Sequence, residues 1–445
     1  MIDLTFMDRD GGPAWALIFF VVTSGAALPE KSKYDLWSTN RASDTFSYDL
    51  PWNDWEVTTA TFRNSNGTNS SAGSRPGPVP SGMDLKVLKE LTADLRRNQA
   101  ISPFVISVTM SQVWLAADGI TRNEITPTLG LTTPNPKDFL LRYHAAISYL
   151  SSLSSGSVTA AAYSHLYISE RISVLPPFSS VLSRYYLTKE RPFSSPAQAV
   201  SEINRDVNNV TGGRISSVVS EEEIQGASFF TVGAFYFRAP WKTAFTPSQK
   251  MSFLTAVGEK QVKTMILNNI ILPYIKVATF DAISLPYSEG NFSMLLLRPI
   301  QRAMDAVTAL RVRLDTLNVT DVMVQLESKA SKNIVVKMPT FTIEAKYSLK
   351  PAMHALRISK IFAPGANFKG ITDQQGLYLN DIFHTVYINV SETGEDPAKD
   401  TSAPAQPPRR SLPGPLYFEL DRPFFAIIYN RFCRTNFLSA FIASP

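Results

Sequence analysis

The sequence has a single cysteine, Cys433. No intrachain disulfide can form, so packing and hydrogen bonding must hold the fold. In a secreted chain a lone cysteine is a free thiol or a link between two molecules. Its setting, "IIYNRFCRTNFL", favours a partly buried thiol, although Cys433 could still link two chains. Histidine is nearly as scarce: His144, His165, His354 and His384 are the only four, and they lie far apart. No Cys/His cluster has zinc-ligand spacing, so no metal or cofactor is expected. There is no G-x-S-x-G elbow, no H-E-x-x-H and no phosphate-binding glycine loop, and the chain is not expected to be an enzyme. Charge of one sign is not concentrated either. The net charge is +5, and the basic residues are scattered as Arg96–Arg97, Arg311–Arg313 and Arg409–Arg410. That excess allows weak polyanion binding, but no recognition motif accompanies it, so nucleic-acid binding is not expected. No apolar run reaches the ~20 residues of a membrane span.

The one marked apolar run is short. Ala14 to Val22 is followed by small residues, with Ser24 and Ala26 fitting a cleavage pattern, so residues 1–26 are read as a signal peptide despite Asp3, Asp8 and Asp10 before the run. Six Asn-x-Ser/Thr triplets agree with a secreted, extracellular glycoprotein: Asn66, Asn69, Asn209, Asn291, Asn318 and Asn389. Residues 27–82 form a polar extension. Its "NSNGTNSSAGSRPGPVPSG" cannot bury a core, and Trp37, Trp52 and Trp55 precede that tract. From Met83 the texture changes. "MDLKVLKELTADLRRN" puts Leu85, Leu88, Leu91 and Leu95 on one helical stripe. "SPFVISVTMSQVWLAADG" reads as a mostly apolar helix, and "AVSEINRDVNNVTGG" as a helix stopped by Gly212 and Gly213. Strand-like runs follow, among them "SFFTVGAFYFRAPW", "NFSMLLLR", "NIVVKMPTFTIEAKYSL", "HTVYINV" and "FFAIIYN". Helices early and strands late, without strict alternation, predict an α+β domain with large antiparallel sheets.

These segments, in this order and over residues 83–445, resemble the serpin superfamily. "ISPFVISVTMSQVWLAADGITRNEI" is similar to the segment that opens the family's shutter region, with Ser102 and Ser107 at its characteristic positions. "FFTVGAFYFRAPWKTAF" resembles the central-sheet strand ending in the breach tryptophan, here Trp241. "LNDIFHTVYINVSETGE" resembles the strand that leads into the reactive-centre loop, with His384 at the shutter-histidine position. "LDRPFFAIIYNRF" resembles the strand after the loop. The resemblance implies three mainly antiparallel β-sheets, about nine helices and an exposed loop at residues 391–416. It also implies the family mechanism: a protease cleaves the loop, the loop's N-terminal part enters the central sheet as a new strand, and the acylated protease is dragged across and distorted.

The loop departs from what that mechanism requires. Gly394 falls on the hinge glycine, but Glu395, Asp396, Pro397, Ala398, Lys399, Asp400 and Thr401 follow where small residues are the rule. The inward set is then Glu395, Pro397, Lys399 and Thr401, or, in a slipped register, Pro397, Lys399, Thr401 and Ala403. In either count a proline and a lysine enter a sheet interior, at a cost on the order of 10 kcal/mol. Arg410–Ser411 is the candidate scissile bond and Pro408–Arg409 the second choice. Two more departures are Gly233, where a shutter asparagine is expected as the partner of His384, and a closing "LSAFIASP" with Ala440, Phe441 and Ser444 in place of Gly, Arg/Lys and Asn. The expectation is a secreted, non-inhibitory serpin-fold protein that binds an extracellular partner, an immune receptor or a protease. The extension and divergent hinge resemble virus-encoded homologues of herpesvirus or poxvirus type, which would make it an immunomodulator. The alternative is an inhibitor of trypsin-like proteases.

Overall fold

The computed structural model describes residue 79 and residues 82–131, 136–153, 158–395 and 414–445. The expected signal peptide, nearly all of the extension, and Pro397, Lys399, Pro408, Arg409, Arg410 and Ser411 lie outside them, as do Asn66 and Asn69. In chain order the elements are α1 Asp84–Leu91, β1 Gln99–Ile101, α2 Pro103–Ala116, α3 Gly119–Ile125, α4 Pro136–Ser152, β2 Thr159–Ser169, α5 Pro176–Tyr186, β3 Arg191–Phe193 and α6 Pro196–Val210. Then come β4 Phe229–Pro240, β5 Thr246–Thr255, β6 Gly258–Lys276, β7 Phe280–Pro286, β8 Phe292–Pro299, α7 Met304–Arg313, α8 Val319–Glu327, β9 Ser331–Pro339, β10 Phe341–Ser348 and α9 Lys350–Ala355. The chain ends with β11 Ile382–Ser391, β12 Gly394–Glu395, β13 Leu416–Glu419, β14 Phe424–Asn430 and β15 Thr435–Ile442.

Among the described residues, fifteen strands and the helices make an α+β architecture. The central sheet runs β10-β11-β12-β4-β2-β3. The other nine strands are hydrogen-bonded continuously, because β6 belongs to two sheets: Thr264–Pro273 pair with β9, and Tyr274–Lys276 pair with β7. Most pairs are antiparallel; β11–β4, β13–β9 and β2–β3 are parallel.

Local chemistry explains the helices that frame the site. Every residue of α2 is buried, as an all-round apolar helix must be. Ser102 caps it, its Oγ accepting from the Val105 N–H at 3.2 Å, and Pro103 fills the first position where no N–H is needed. The stripe expected to reach Leu95 is shorter: α1 ends at Leu91, where Thr92 Oγ turns back to the Leu88 carbonyl at 2.8 Å. Leu95 packs on the core from outside the helix. Helix α6 ends at Gly212 and Gly213, both at positive φ. Strand β4 alternates with period two. Phe229, Phe235 and Phe237 face the main core that contains α2, whereas Phe230, Val232 and Ala234 face the cluster under Ala199, Ile203 and Val207 of α6.

Candidate functional site

The site lies where β11 and β4 part. Over Ile382–Tyr387 and Thr231–Tyr236 they are direct parallel neighbours. Above that they separate and β12 stands between them, antiparallel to both. Gly394 is opposite Ser391 and Pro240; Glu395 is opposite Val390 and Ala239. A tight turn at Glu392–Thr393 brings the chain there, and Trp241 holds it. The Trp241 N–H donates to the Thr393 carbonyl at 3.0 Å, and its Nε1–H donates to the Ser391 carbonyl at 3.0 Å. The ring is buried and stacks on Tyr287 with centroids 4.6 Å apart. The Phe245 N–H takes the Glu392 carbonyl at 2.8 Å, and Ser391 Oγ the Gly394 carbonyl at 2.9 Å. Gly394 has φ +142°, and a Cβ there would lie 2.2 Å from the Ala239 carbonyl oxygen, so only glycine fits.

Below β12, His384 of β11 lies opposite Gly233 of β4. Its Nε2 accepts from the Ser102 N–H at 2.9 Å, which leaves the proton of the neutral ring on Nδ1. Burial lowers its pKa to about 3, so the ring is neutral at any physiological pH. A Cβ at position 233 would come within 2.7 Å of Val105 Cγ1 and 3.3 Å of His384 Nδ1. Val105 therefore occupies the space a side chain would need, and His384 is anchored instead by the backbone of the buried helix. Ser102 Oγ donates to the Phe437 carbonyl at 2.6 Å, Ser107 Oγ shares a hydrogen bond with Tyr143 OH at 2.7 Å, and Thr109 shares one with Ser164 at 2.8 Å. These polar contacts tie α2 to its neighbours. Among the described residues no three His, Cys, Asp or Glu side chains are placed to hold a metal ion.

The sequence model of the family Serpin (serine protease inhibitor) matches residues 82–442. The chain belongs to the serpin family. Among curated relatives it is 27% identical to Iripin-8 of Ixodes ricinus, over 78% of this chain and 88% of that one. It is 26% identical to macrophage plasminogen activator inhibitor 2 of Mus musculus, over 81% of this chain and 97% of that one. Among solved structures, Serpin48 of Tenebrio molitor superposes with a TM-score of 0.70 at 21% identity, covering 82% of this chain and 97% of that one, which shows a shared fold.

In this serpin the structure brings Ser102, Gly233 and His384 into one cluster and places Trp241 at the base of the hinge turn. Ser107 lies on the same helix but reaches toward Tyr143. Cys433 is 3% exposed, its Sγ–H donates to Asn430 Oδ1 at 3.3 Å, and burial raises its pKa, which places it as the buried thiol its sequence setting favours. Of the four described sequons, Asn209 and Asn318 are exposed, and Asn318 Oδ1 caps α8. Asn389 is half-buried and takes a hydrogen bond from Thr342. Asn291 spends its Nδ2–H on Glu289 at 2.9 Å. Phe441, where the family carries a basic residue, is buried against Phe425. Sequence reasoning missed Val105, Tyr287 and Phe245, because nothing local in the chain marks them as neighbours of Gly233, Trp241 and the hinge turn.

Proposed function

We propose that this serpin does not inhibit by loop insertion and acts as a secreted protein that binds an extracellular protein partner, such as an immune receptor, with its loop beyond β12 held outside the central sheet. The register of β12 carries the reading. A strand continued from Glu395 in the same pairing would set residue 397 between Phe237 and Ile388, 399 between Phe235 and Val386, and 401 between Gly233 and His384. Phe237, Ile388, Phe235 and Val386 are all fully buried in the main core. Pro397 would thus enter a two-sided ladder without an N–H, and Lys399 an apolar interior without a partner. The opposite face offers no relief lower down. Position 400 would fall beside Ala234, under α6, and it is Asp400. The penalties sum to about 10 kcal/mol, against a whole-domain stability of about 5–15 kcal/mol. Support for secretion comes from the apolar run at residues 14–22 and the exposed sequons at Asn209 and Asn318. The immunomodulatory reading rests on the divergent hinge and the extension alone.

A second reading has its own support. β12 is already seated, so the top of the sheet does open for the hinge, and the names of the relatives include a plasminogen activator inhibitor. In that reading Arg410–Ser411 is the bond offered to a trypsin-like protease. The test is cleavage by trypsin near Arg409 or Arg410, followed by thermal unfolding. The proposal expects no covalent complex on a denaturing gel and a Tm within a few degrees of the intact protein. A stable complex, or a rise of tens of degrees, would establish the inhibitor.

A further inference from the structure

Any residue drawn into the gap between β11 and β4 is taken from the stretch that ends at β13, so β13 bears the load. By pairing alone β13 is a weak anchor. It is four residues long and, among the described residues, lies at the edge of its sheet and pairs on one side only, Leu416–Glu419 against Ile334–Lys337 of β9. Short edge strands exchange and fray readily.

Three arginines fasten β13 and the residues just after it: Arg298 touches the strand, Arg302 holds Asp421, and Arg422 reaches out from the segment itself. Arg298, at the end of β8, lies over the buried Phe418 ring at 4.2 Å and donates Nη1–H to the Glu419 carbonyl at 3.0 Å. The same guanidinium is held in a two-point ion pair with the buried Asp281, at 2.9 and 2.5 Å, and Tyr274 OH also donates to Asp281. Arg422, itself buried, donates to the carbonyls of Pro299 and Ile300 at 2.9 and 3.1 Å and pairs with Asp421. Arg302 bridges Asp421 and Glu259 at 2.9 and 2.6 Å, and its Nη2–H reaches the Ser252 carbonyl. The Asp421 carbonyl in turn accepts from the Leu254 N–H at 2.8 Å. Segment 418–422 is therefore fastened to β5, β7 and β8 by charge-assisted bonds that are independent of its ladder with β9. Planar, bidentate guanidinium geometry is the kind of contact that fixes a backbone segment in place.

We infer that Arg298, Arg302 and Arg422 form a lock that holds the return anchor of the loop, so that β13 stays seated when the intact chain is under tension. The Arg298–Asp281 pair, half-buried on the arginine side and buried on the aspartate side, fixes the position, and the exposed Arg302 bridge adds a salt-sensitive part. A second consequence follows at the sheet edge: the Glu419 carbonyl is occupied by Arg298, which blunts β13 as a template for another strand.

Hydrogen exchange on the intact full-length protein tests this directly, comparing peptides over residues 414–422 with peptides over β14. In the parent, β13 should exchange nearly as slowly as β14, despite its four-residue ladder. Arg298→Ala should speed exchange at 416–420 by roughly a hundredfold and Arg302→Ala by roughly tenfold, with β14 unchanged. High salt should speed β13 in the parent but not in Arg302→Ala. Should Arg298→Ala fail to fold, the surface variant Arg302→Ala and the salt series carry the test. Exchange at β13 that is already fast in the parent, or that is unaltered by both substitutions, overturns the lock. The readout does not depend on whether the loop enters the central sheet, so it stands or falls separately from the cleavage experiment.

Discussion

His384 keeps its place only as a neutral ring. Its Nε2 accepts from Ser102, and a proton there would face the N–H of a buried helix start. The unfolded chain binds that proton below its ordinary pKa of 6.5, and the folded chain does so only near 3. Unfolding therefore takes up a proton between those limits, and stability is full above pH 6.5 and falls as pH drops toward 3, by up to about 1.4 kcal/mol per unit from this group. Denaturant unfolding from pH 7 to 4.5 should show that slope, and His384→Asn should lower stability at pH 7 while removing about one proton from the pH dependence. Gly233 and Val105 form a second coupled pair. Gly233→Ala presses a methyl into Val105 Cγ1 and should cost about 1–3 kcal/mol, and adding Val105→Ala should recover part of that loss. If the two substitutions destabilise additively, the contact is not what keeps position 233 small.

The hinge and its strand form the next unit. Two residues are seated as β12 and held by the Trp241 contacts, while the residues after them are chemically unsuited to the register they would enter. Replacing Pro397, Lys399 and Asp400 by alanine removes both the missing donor and the buried charges. The triple variant should gain thermal stability on loop cleavage by ten degrees or more, where the parent gains little. A triple variant that behaves like the parent would place the block elsewhere, in α6 or in the shutter cluster. Trp241 offers an optical report of the same event, since its stack on Tyr287 and its bond to Ser391 sit at the opening of the gap.

At the scale of the whole molecule, β12 already lies between β11 and β4, and the proposed function sets that seat against a loop whose composition opposes following it. Its lone thiol takes no part: buried Cys433 should react with a thiol reagent only on unfolding, and the folded protein should run as one chain on a non-reducing gel. Much of this was legible in the chain. The Ser-Pro start predicted α2, paired glycines ended α6, and strand-like apolar runs marked β4, β8 and β11, because caps and local composition act over a few residues. The stripe through Leu95 failed for a local reason as well: Thr92 ends α1 a turn early. Strands β2, β5 and β6 did not stand out, since their faces mix small, polar and apolar residues. Within the candidate site, Gly394, His384 and Trp241 were found from their family-like settings, and the awkward composition of residues 395–401 needed only reading. Tertiary structure decided what those residues meet. Which core residues would flank Lys399, that Ser102 replaces an asparagine as the partner of His384, that Val105 fills the space beside Gly233, and that three arginines fasten the segment 418–422 all depend on segments brought together from distant parts of the chain. A local pattern says which way a side chain points; only the topology says what is waiting there.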